Sequence, residues 1–298
     1  MSIIDASNPA PGLYPGVSFD RYCSIPLLNH STLKRLKDSP MHFRWAMDNP
    51  LEASTESDSK RLGTGTHMLL FEPEKFNTLR IAPPINPSTG NPYGSDSKKW
   101  AEYAAAHPGK FIVSDAEIED MKAMVQSIRS NPGAATLLDA ATSFEETAVW
   151  RDPVTGLWCK GRMDARVEGR CLIDLKTTRS LATFGRSIID YSYHTQNVMY
   201  CEGIAAMGRP ETTMLFVAVE NTAPFATQVF EIGEDTLAMA REILRGWRET
   251  IVRCQKTGRW YGPQGDPTAP DFQLVTKIEA PAWYFQRFQD AEEHAIAA

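Results

Sequence analysis

The stretch Gly161-Arg162-Met163-Asp164, followed across a tight turn by Leu172-Ile173-Asp174-Leu175-Lys176-Thr177-Thr178, decides how this chain folds and what chemistry it carries. Side chains alternate between the two faces of a strand, so Asp174 and Lys176 share one face of the second segment. The short turn predicts antiparallel pairing of the two segments. Asp164 and Asp174 then converge at one end of the sheet, with Lys176 alongside.

The triplet Asp-x-Lys is weak evidence by itself, because the chain contains it four times, at residues 58–60, 96–98, 120–122 and 174–176. The first two copies lie in Ser-rich polar stretches and the third in a helix-like run. The fourth ends a short apolar run, Cys171-Leu172-Ile173, that is typical of a buried strand. A carboxylate and an amine in such a strand carry a desolvation cost unless they are paired or bind a metal.

Length and composition predict a soluble globular protein. The 298 residues are 42% hydrophobic, enough for one large core or two modest ones. There is no run of about 18 apolar residues, and Met1-Ser2-Ile3-Ile4-Asp5 lacks the blocks of a secretory signal, so we expect a cytoplasmic protein with no membrane partner. The five cysteines are odd in number and form no Cys-x-x-Cys pair, which argues against a disulfide framework and a zinc site.

The net charge of −6 argues against a protein that coats nucleic acid, because such binding relies on many Lys and Arg contacts to phosphates. The segment from Arg151 to Arg186 departs from this balance, with eight basic and four acidic residues. This local positive charge is compatible with binding of DNA at this segment or with ordinary solvated strand edges.

The order of predicted elements indicates an α+β fold. A helix is expected over 115–130, and residues 81–97, rich in Pro, Gly, Ser and Asn, predict a loop or mobile flap. Three antiparallel strands fill 144–176, and helices and two further strands follow. We therefore expect a mixed sheet with an antiparallel meander, flanked by helices. No linker divides the chain, so a single domain is predicted, with an N-terminal arm and helices over 1–60, a core over 61–256 and a C-terminal extension over 257–298.

The paired carboxylates predict a divalent metal. Hard oxygen ligands suit Mg2+ or Mn2+ better than Zn2+, which usually recruits His and Cys. A metal held there can polarise a phosphate oxygen and lower the pKa of a bound water, while Lys176 orients that water or stabilises developing negative charge. Mg2+ is the expected ion, with Mn2+ as a substitute.

Four ordered motifs resemble those of the PD-(D/E)xK nuclease superfamily and, within it, the RecB-like branch. They are His67 within residues 63–70, the Gly161–Asp164 segment, the Asp174-Leu175-Lys176 signature, and Gln196 with Tyr200. The resemblance implies a restriction-endonuclease-like core and a Mg2+-dependent deoxyribonuclease. Four motifs in the right order are much more specific than any one of them.

The edges of the motif region are similar to phage-type RecE (exodeoxyribonuclease VIII) nuclease domains. The similarity rests on Ser31-Thr32-Leu33-Lys34 and Ser39-Pro40 near the start, on Leu62 to His67, on Phe71-Glu72-Pro73-Glu74 and on Glu146 before the hairpin. It implies a 5′→3′ exonuclease that resects double-stranded DNA ends for phage-type recombination. That family usually forms a ring-shaped homo-oligomer partnered with a single-strand annealing protein.

The resemblance assigns the site residues. The catalytic residues are expected to be Asp164, Asp174, Lys176, Gln196, Tyr200 and Glu146. The metal ligands are expected to be His67, Asp164 and Asp174. The predicted DNA contacts are Arg162, Arg166 and Arg179, all in the basic segment.

Each assignment has a plainer alternative. His67 alone is more often a core or helix-surface histidine. Glu145 and Glu146 are adjacent and point to opposite strand faces, so only one reaches the site, and Glu146 matches the family placement better. Gln196 and Tyr200 stand one helical turn apart and suit an ordinary helix surface.

Two other functions remain open at this stage. A structure-specific or restriction-type endonuclease would use the same metal site and accept closed circular DNA. A non-catalytic DNA-binding protein on a nuclease fold is disfavoured, because Asp164, Asp174 and Lys176 are all present.

Overall fold

The computed structural model describes residues 4–49 and 58–286. The strands are β1 (Gly12–Tyr14), β2 (Arg80–Ile81), β3 (Phe111–Ile112), β4 (Ser143–Arg151), β5 (Trp158–Val167), β6 (Cys171–Thr178), β7 (Met214–Glu220) and β8 (Thr227–Glu231). The first helices are α1 (Phe19–Ser24), α2 (His30–Leu33), α3 (Pro40–Asp48), α4 (Asp58–Phe71), α5 (Pro73–Leu79) and α6 (Lys98–Ala106). The later helices are α7 (Asp115–Ser130), α8 (Pro132–Asp139), α9 (Phe184–Asp190), α10 (Tyr193–Ala206) and α11 (Glu234–Thr257). Two 3-10 turns cover Lys34–Lys37 and Leu181–Thr183.

Six strands form the main sheet in the order β1-β4-β5-β6-β7-β8. All neighbours are antiparallel except β6 and β7, which run parallel. The parallel pair requires a crossover, and α9 and α10 supply it. The predicted α+β class, with an antiparallel meander inside a mixed sheet, is confirmed.

Helices cover both faces of the sheet and create two apolar cores. On one face α10 packs against β4 and α11, around buried side chains such as Phe43, Trp150 and Phe216. On the other face α4 and α7 pack together, around Phe76 and Met121. The functional residues of α4 and α10 therefore approach the sheet from opposite sides.

Local sequence explains where helix α7 begins. Helix α7 begins at a capping box, in which Ser114 accepts from the Glu117 backbone and Glu117 accepts from the Ser114 backbone. Residues 82–97 form the predicted connecting loop, closed by an isolated bridge between Ile85 and Pro92. Within the described ranges, no helix combines the length and apolar character needed to cross a bilayer.

Candidate active site

The β5–β6 pair opens at the two aspartates of the signature. Its ladder joins Ala165 to Ile173 and does not continue to Asp164 and Asp174, which would be the next pair. Instead, the Leu175 backbone N–H donates to Oδ2 of Asp164 at 2.7 Å. The aspartate side chain therefore takes the place of a strand partner, and both carboxylates face the opening between the strands.

Helix α4 brings His67 to this opening. Its Nε2 lies 2.9 Å from Oδ1 of Asp164, and its Nδ1 lies 2.9 Å from Oε1 of Glu145. A Cβ at Gly63, one turn earlier, would lie 3.0 Å from Oγ1 of Thr177 on β6. The absence of a side chain at Gly63 thus allows α4 to lie close enough to the sheet for His67 to reach it.

Glu145 is directed into the site by an irregular backbone. The β4–β5 ladder pairs Phe144 with Ala165 and Glu146 with Met163, but it skips Glu145 and the residue opposite it, Asp164. Glu145 has a φ of 52°, a left-handed conformation that is uncommon for a residue other than glycine. Such strained positions are found preferentially at functional sites.

The three side chains together form a possible metal site. One ligand atom from each of His67, Glu145 and Asp164 lies within 4.8 Å of the others. An imidazole nitrogen and two carboxylate oxygens are a donor set that binds divalent metals such as Mg2+ and Mn2+ when the carboxylates dominate. The residues therefore fit a divalent cation.

The charges in this cluster are balanced by His67. Burial alone would lower the pKa of His67, but the carboxylates of Asp164 and Glu145 outweigh it and raise the pKa to about 10. Burial would likewise raise the pKa of Asp164, but the nearby His67 and Lys176 hold that pKa below its usual value. In the metal-free protein an imidazolium thus supplies the positive charge between two carboxylates.

Arg162 fixes the far side of Glu145. Its Nε donates to Oε2 of Glu145 at 2.5 Å, and its Nη1 donates to the Val17 carbonyl oxygen at 2.5 Å. The arginine side chain is buried. It therefore connects the N-terminal arm to the cluster and leaves the other oxygen of Glu145 directed toward His67.

A second cluster adjoins the first on β6. Oδ2 of Asp174 lies 2.6 Å from Nζ of Lys176, and Oδ1 accepts from Nε2 of Gln196 at 2.8 Å. The Gln196 carbonyl oxygen is 3.4 Å from the same ammonium group. Tyr193 covers the lysine, with its ring centroid 4.5 Å from Nζ. Gln196 thus orients both partners of the Asp-x-Lys signature.

The pKa values of the two aspartates are shifted in opposite directions. Burial, together with the charge of Asp164, outweighs the opposing effect of Lys176 and raises the pKa of Asp174 to about 6. Burial would lower the pKa of Lys176, but Asp174 outweighs it and raises that pKa. The lysine is therefore a cation at neutral pH.

Tyr200 supports the site from α10. A Cβ at Gly161 would lie 3.0 Å from a carbon of the Tyr200 ring, so the glycine of the Gly-Arg-Met-Asp segment is required for close packing. Burial raises the pKa of the Tyr200 hydroxyl to about 12. The tyrosine stays neutral and acts as packing beneath β5.

Three residues that were expected to be catalytic or to contact DNA are held in ion pairs. Glu146, expected at the site, accepts from Ser143 Oγ at 3.0 Å and from Arg166 Nε at 2.9 Å. Arg166 is buried and also donates to Glu211 at 2.8 Å. Buried ion pairs occupy both Arg162 and Arg166, and their contact with DNA stays a prediction.

The structure brings together His67, Asp164, Asp174, Lys176, Gln196 and Tyr200, as the motifs predicted. Asp174 is next to the proposed metal cluster, but Lys176 and Gln196 bind its carboxylate. Arg179 is exposed just after β6, and its contact with DNA stays a prediction. Sequence reasoning missed Tyr193, although it precedes Gln196 by three residues and so shares its helix face.

The comparisons with known proteins agree with this geometry. Residues 29–266 match the sequence model of a family described as "PDDEXK-like domain of unknown function (DUF3799)". The fold is similar to that of a crystal structure from Eubacterium rectale named "Putative exonuclease", with a TM-score of 0.59 and 11% identity. The similarity covers 89% of this chain and 96% of that chain, and at this identity it concerns the fold alone. No curated protein matches the chain in sequence.

Proposed function

The chain belongs to this family of PDDEXK-like domains, and on that premise we propose that it is a metal-dependent deoxyribonuclease that hydrolyses phosphodiester bonds. The observation that carries the proposal is that two clusters lie close enough for their charges to interact. His67, Glu145 and Asp164 offer a metal site, and the ammonium group of Lys176 adjoins it across Asp174.

His67, Glu145 and Asp164 would hold the cation, with Asp174 at its edge. A bound Mg2+ or Mn2+ supplies Lewis-acid polarisation of a phosphate oxygen and lowers the pKa of a coordinated water. His67 would have to lose one proton to hold the cation, because one of its two ring nitrogens must be unprotonated to act as a ligand.

The protein's own groups orient and stabilise the reacting atoms. Lys176 places a fixed positive charge where negative charge develops on the phosphate. Gln196 and Tyr193 restrict the lysine to that position. The Leu175 N–H and Arg162 hold Asp164 and Glu145 in place. Preorganised groups of this kind lower the barrier because they need no rearrangement during the reaction.

We extend the proposal to the finer activity that the RecE resemblance implies. The substrate is a double-stranded DNA end, and one strand is digested in the 5′→3′ direction with Mg2+. The working form is a ring-shaped homo-oligomer, and the product strand passes to a single-strand annealing protein. The Glu72-Pro73-Glu74 segment that carries the resemblance connects α4 to α5 directly after the His67 helix.

The experiment compares the wild-type protein with Asp164→Asn and with Asp139→Asn, a control at the end of α8. Linear duplex DNA is incubated with Mg2+ and then with EDTA in place of the metal. We expect acid-soluble nucleotides from the wild type and the control with Mg2+, and none from Asp164→Asn or with EDTA. Wild-type protein that releases no nucleotides with Mg2+ or Mn2+ would contradict the proposal.

A further inference from the structure

A basic turn lies beside the lysine half of the site. The 3-10 turn Lys34–Lys37 follows α2, and α2 packs on the N-terminal end of α10. His30 Nε2 is 2.9 Å from Thr195 Oγ1, and Lys37 Nζ is 3.4 Å from Ser192 Oγ. Ser192 immediately precedes Tyr193, whose ring covers Lys176. The turn therefore lies at the same end of α10 as Tyr193 and Gln196.

The two lysines of this turn differ from its arginine in their acidic partners. Arg35 pairs with Asp38 at 3.3 Å. For Lys34 and Lys37, no carboxylate in the described residues lies within ion-pair distance. Lys34 is half-buried, and burial lowers its pKa, so its ammonium group is partly desolvated. A partly desolvated ammonium without an acidic partner is an unfavourable arrangement unless an anion binds there.

The field at Lys34 has the sign that favours an anion. Burial lowers the pKa of Lys34, and the nearby cations Lys176, Lys37, Arg35 and Lys60 lower it further. Mutual repulsion of this kind is relieved when a negatively charged group binds between the cations. Lys176 is among these cations, so Lys34 lies near enough to the proposed reaction centre for the two charges to interact.

The surface next to the turn also suits a nucleotide strand. Tyr191 is 57% exposed, and its ring lies 5.6 Å from the ring of Tyr193. Ser192 lies between them and has a left-handed backbone with a φ of 63°. Its Oγ accepts a hydrogen bond from Lys37 Nζ. Proteins that bind single strands combine exposed aromatic rings, on which bases stack, with cations that contact the backbone.

From these observations we propose that Lys34 and Lys37 form a subsite that binds a phosphate group of the DNA strand next to the phosphodiester held at Lys176. The inference rests on the proposed nuclease function and gives it a defined strand path, from the metal cluster past Lys176 to the 3-10 turn. The ligand is a phosphate, either an internal diester or the monoester at a strand end.

The test measures DNA binding separately from cleavage. The variants are Lys34→Gln, Lys37→Gln and the double variant, with Lys256→Gln as the control, since Lys256 is an exposed lysine in the last turn of α11. Fluorescence anisotropy in EDTA gives the Kd for a labelled duplex with a short single-stranded end, at several salt concentrations. Circular dichroism and thermal unfolding confirm that each variant is folded.

We expect the double variant to bind about 10- to 100-fold more weakly and to lower the slope of log K against log salt by roughly one unit per lost phosphate contact. With Mg2+, the KM should rise in proportion, by a larger factor than any fall in kcat. The control should bind like the wild type.

Two duplexes separate the sources of the phosphate, one with a 5′-phosphate and one with a 5′-hydroxyl. An equal loss of affinity on both identifies an internal diester, and a loss confined to the phosphorylated duplex identifies the terminal monoester; both support the subsite. Wild-type protein that binds and cuts DNA while the double variant keeps the same Kd and salt slope would overturn the subsite alone. Wild-type protein that neither binds nor cuts DNA would overturn the proposed function and the subsite together.

Discussion

The backbone N–H of Leu175 donates to Oδ2 of Asp164 at 2.7 Å, across the point where strands β5 and β6 stop pairing. This one contact links the two halves of the sequence signature. It fixes Asp164 so that its other oxygen faces His67 at 2.9 Å. The strands do not pair at the two aspartates, next to the proposed metal site.

Asp164→Asn and Lys176→Met should each lower the cleavage rate at least about 100-fold, because one removes a metal ligand and the other a fixed cation. Both side chains are similar in volume to the originals, so the fold should persist. Initial rates on linear duplex DNA and circular dichroism spectra measure the two effects. A variant with the normal rate would remove that residue from the site.

Glu145 and Glu146 should differ in their effect on the metal requirement. Glu145→Gln removes a metal ligand, so it should raise the Mg2+ concentration that gives half-maximal activity at least about tenfold, and it also weakens the buried pair with Arg162. Glu146→Gln weakens the buried pair with Arg166, so it should lower the free energy of unfolding by about 1 to 3 kcal/mol and keep the metal requirement unchanged. Metal titrations and urea unfolding of both variants make the comparison.

If Glu146→Gln raised the Mg2+ requirement and Glu145→Gln left it unchanged, the result would place Glu146 at the metal, as the family resemblance implies. Glu119→Gln is a suitable control for both variants, since Glu119 is exposed and pairs with Lys122 at the surface.

Much of this site could be predicted from the sequence, because its residues lie on regular elements. Asp164, Asp174 and Lys176 follow from strand alternation, and Gln196 with Tyr200 follows from the helical repeat. Glu145 could not be chosen over Glu146, because the choice depends on a left-handed residue that alternation does not anticipate. The burial of Arg162 and Arg166 could not be predicted from the sequence either, because their acidic partners Glu145 and Glu211 are distant in sequence.

Gly161→Ala should disturb the site without removing any functional group. The added methyl would lie 3.0 Å from the buried Tyr200 ring, so β5 and α10 must move apart. We expect a loss of about 1 to 3 kcal/mol in stability, as for other overpacked cores, and a fall in kcat larger than the rise in KM. Gly185→Ala, where an added Cβ meets no atom within 4 Å, is the control. A Gly161→Ala protein with wild-type stability would show that the close contact is not required.

His30 should make the protein sensitive to acid. Burial, together with the nearby Lys34, Lys176 and His194, lowers the pKa of His30 to about 3. In the unfolded chain the ordinary pKa is about 6.5. Between these values the unfolded state binds the extra proton, so stability falls as the pH drops from 6.5 toward 3, by at most about 1.4 kcal/mol per pH unit from this group.

His30→Gln can keep the hydrogen bond to Thr195 and removes this titration. Thermal unfolding of both proteins is measured between about pH 4 and about pH 7, a range that includes the ordinary His pKa. The slope of stability against pH should be smaller for the variant. Equal slopes would show that His30 does not contribute.

The most direct test of the central claim is cleavage by purified wild-type protein and Asp164→Asn with Mg2+, on duplex labelled at its 5′ ends, on the same duplex labelled at its 3′ ends, and on covalently closed circles. We predict early release of the 5′ label by the wild type, intact circles, and no product from Asp164→Asn. Cut circles would instead indicate an endonuclease, and equal cleavage by Asp164→Asn would contradict the metal site at His67, Glu145 and Asp164.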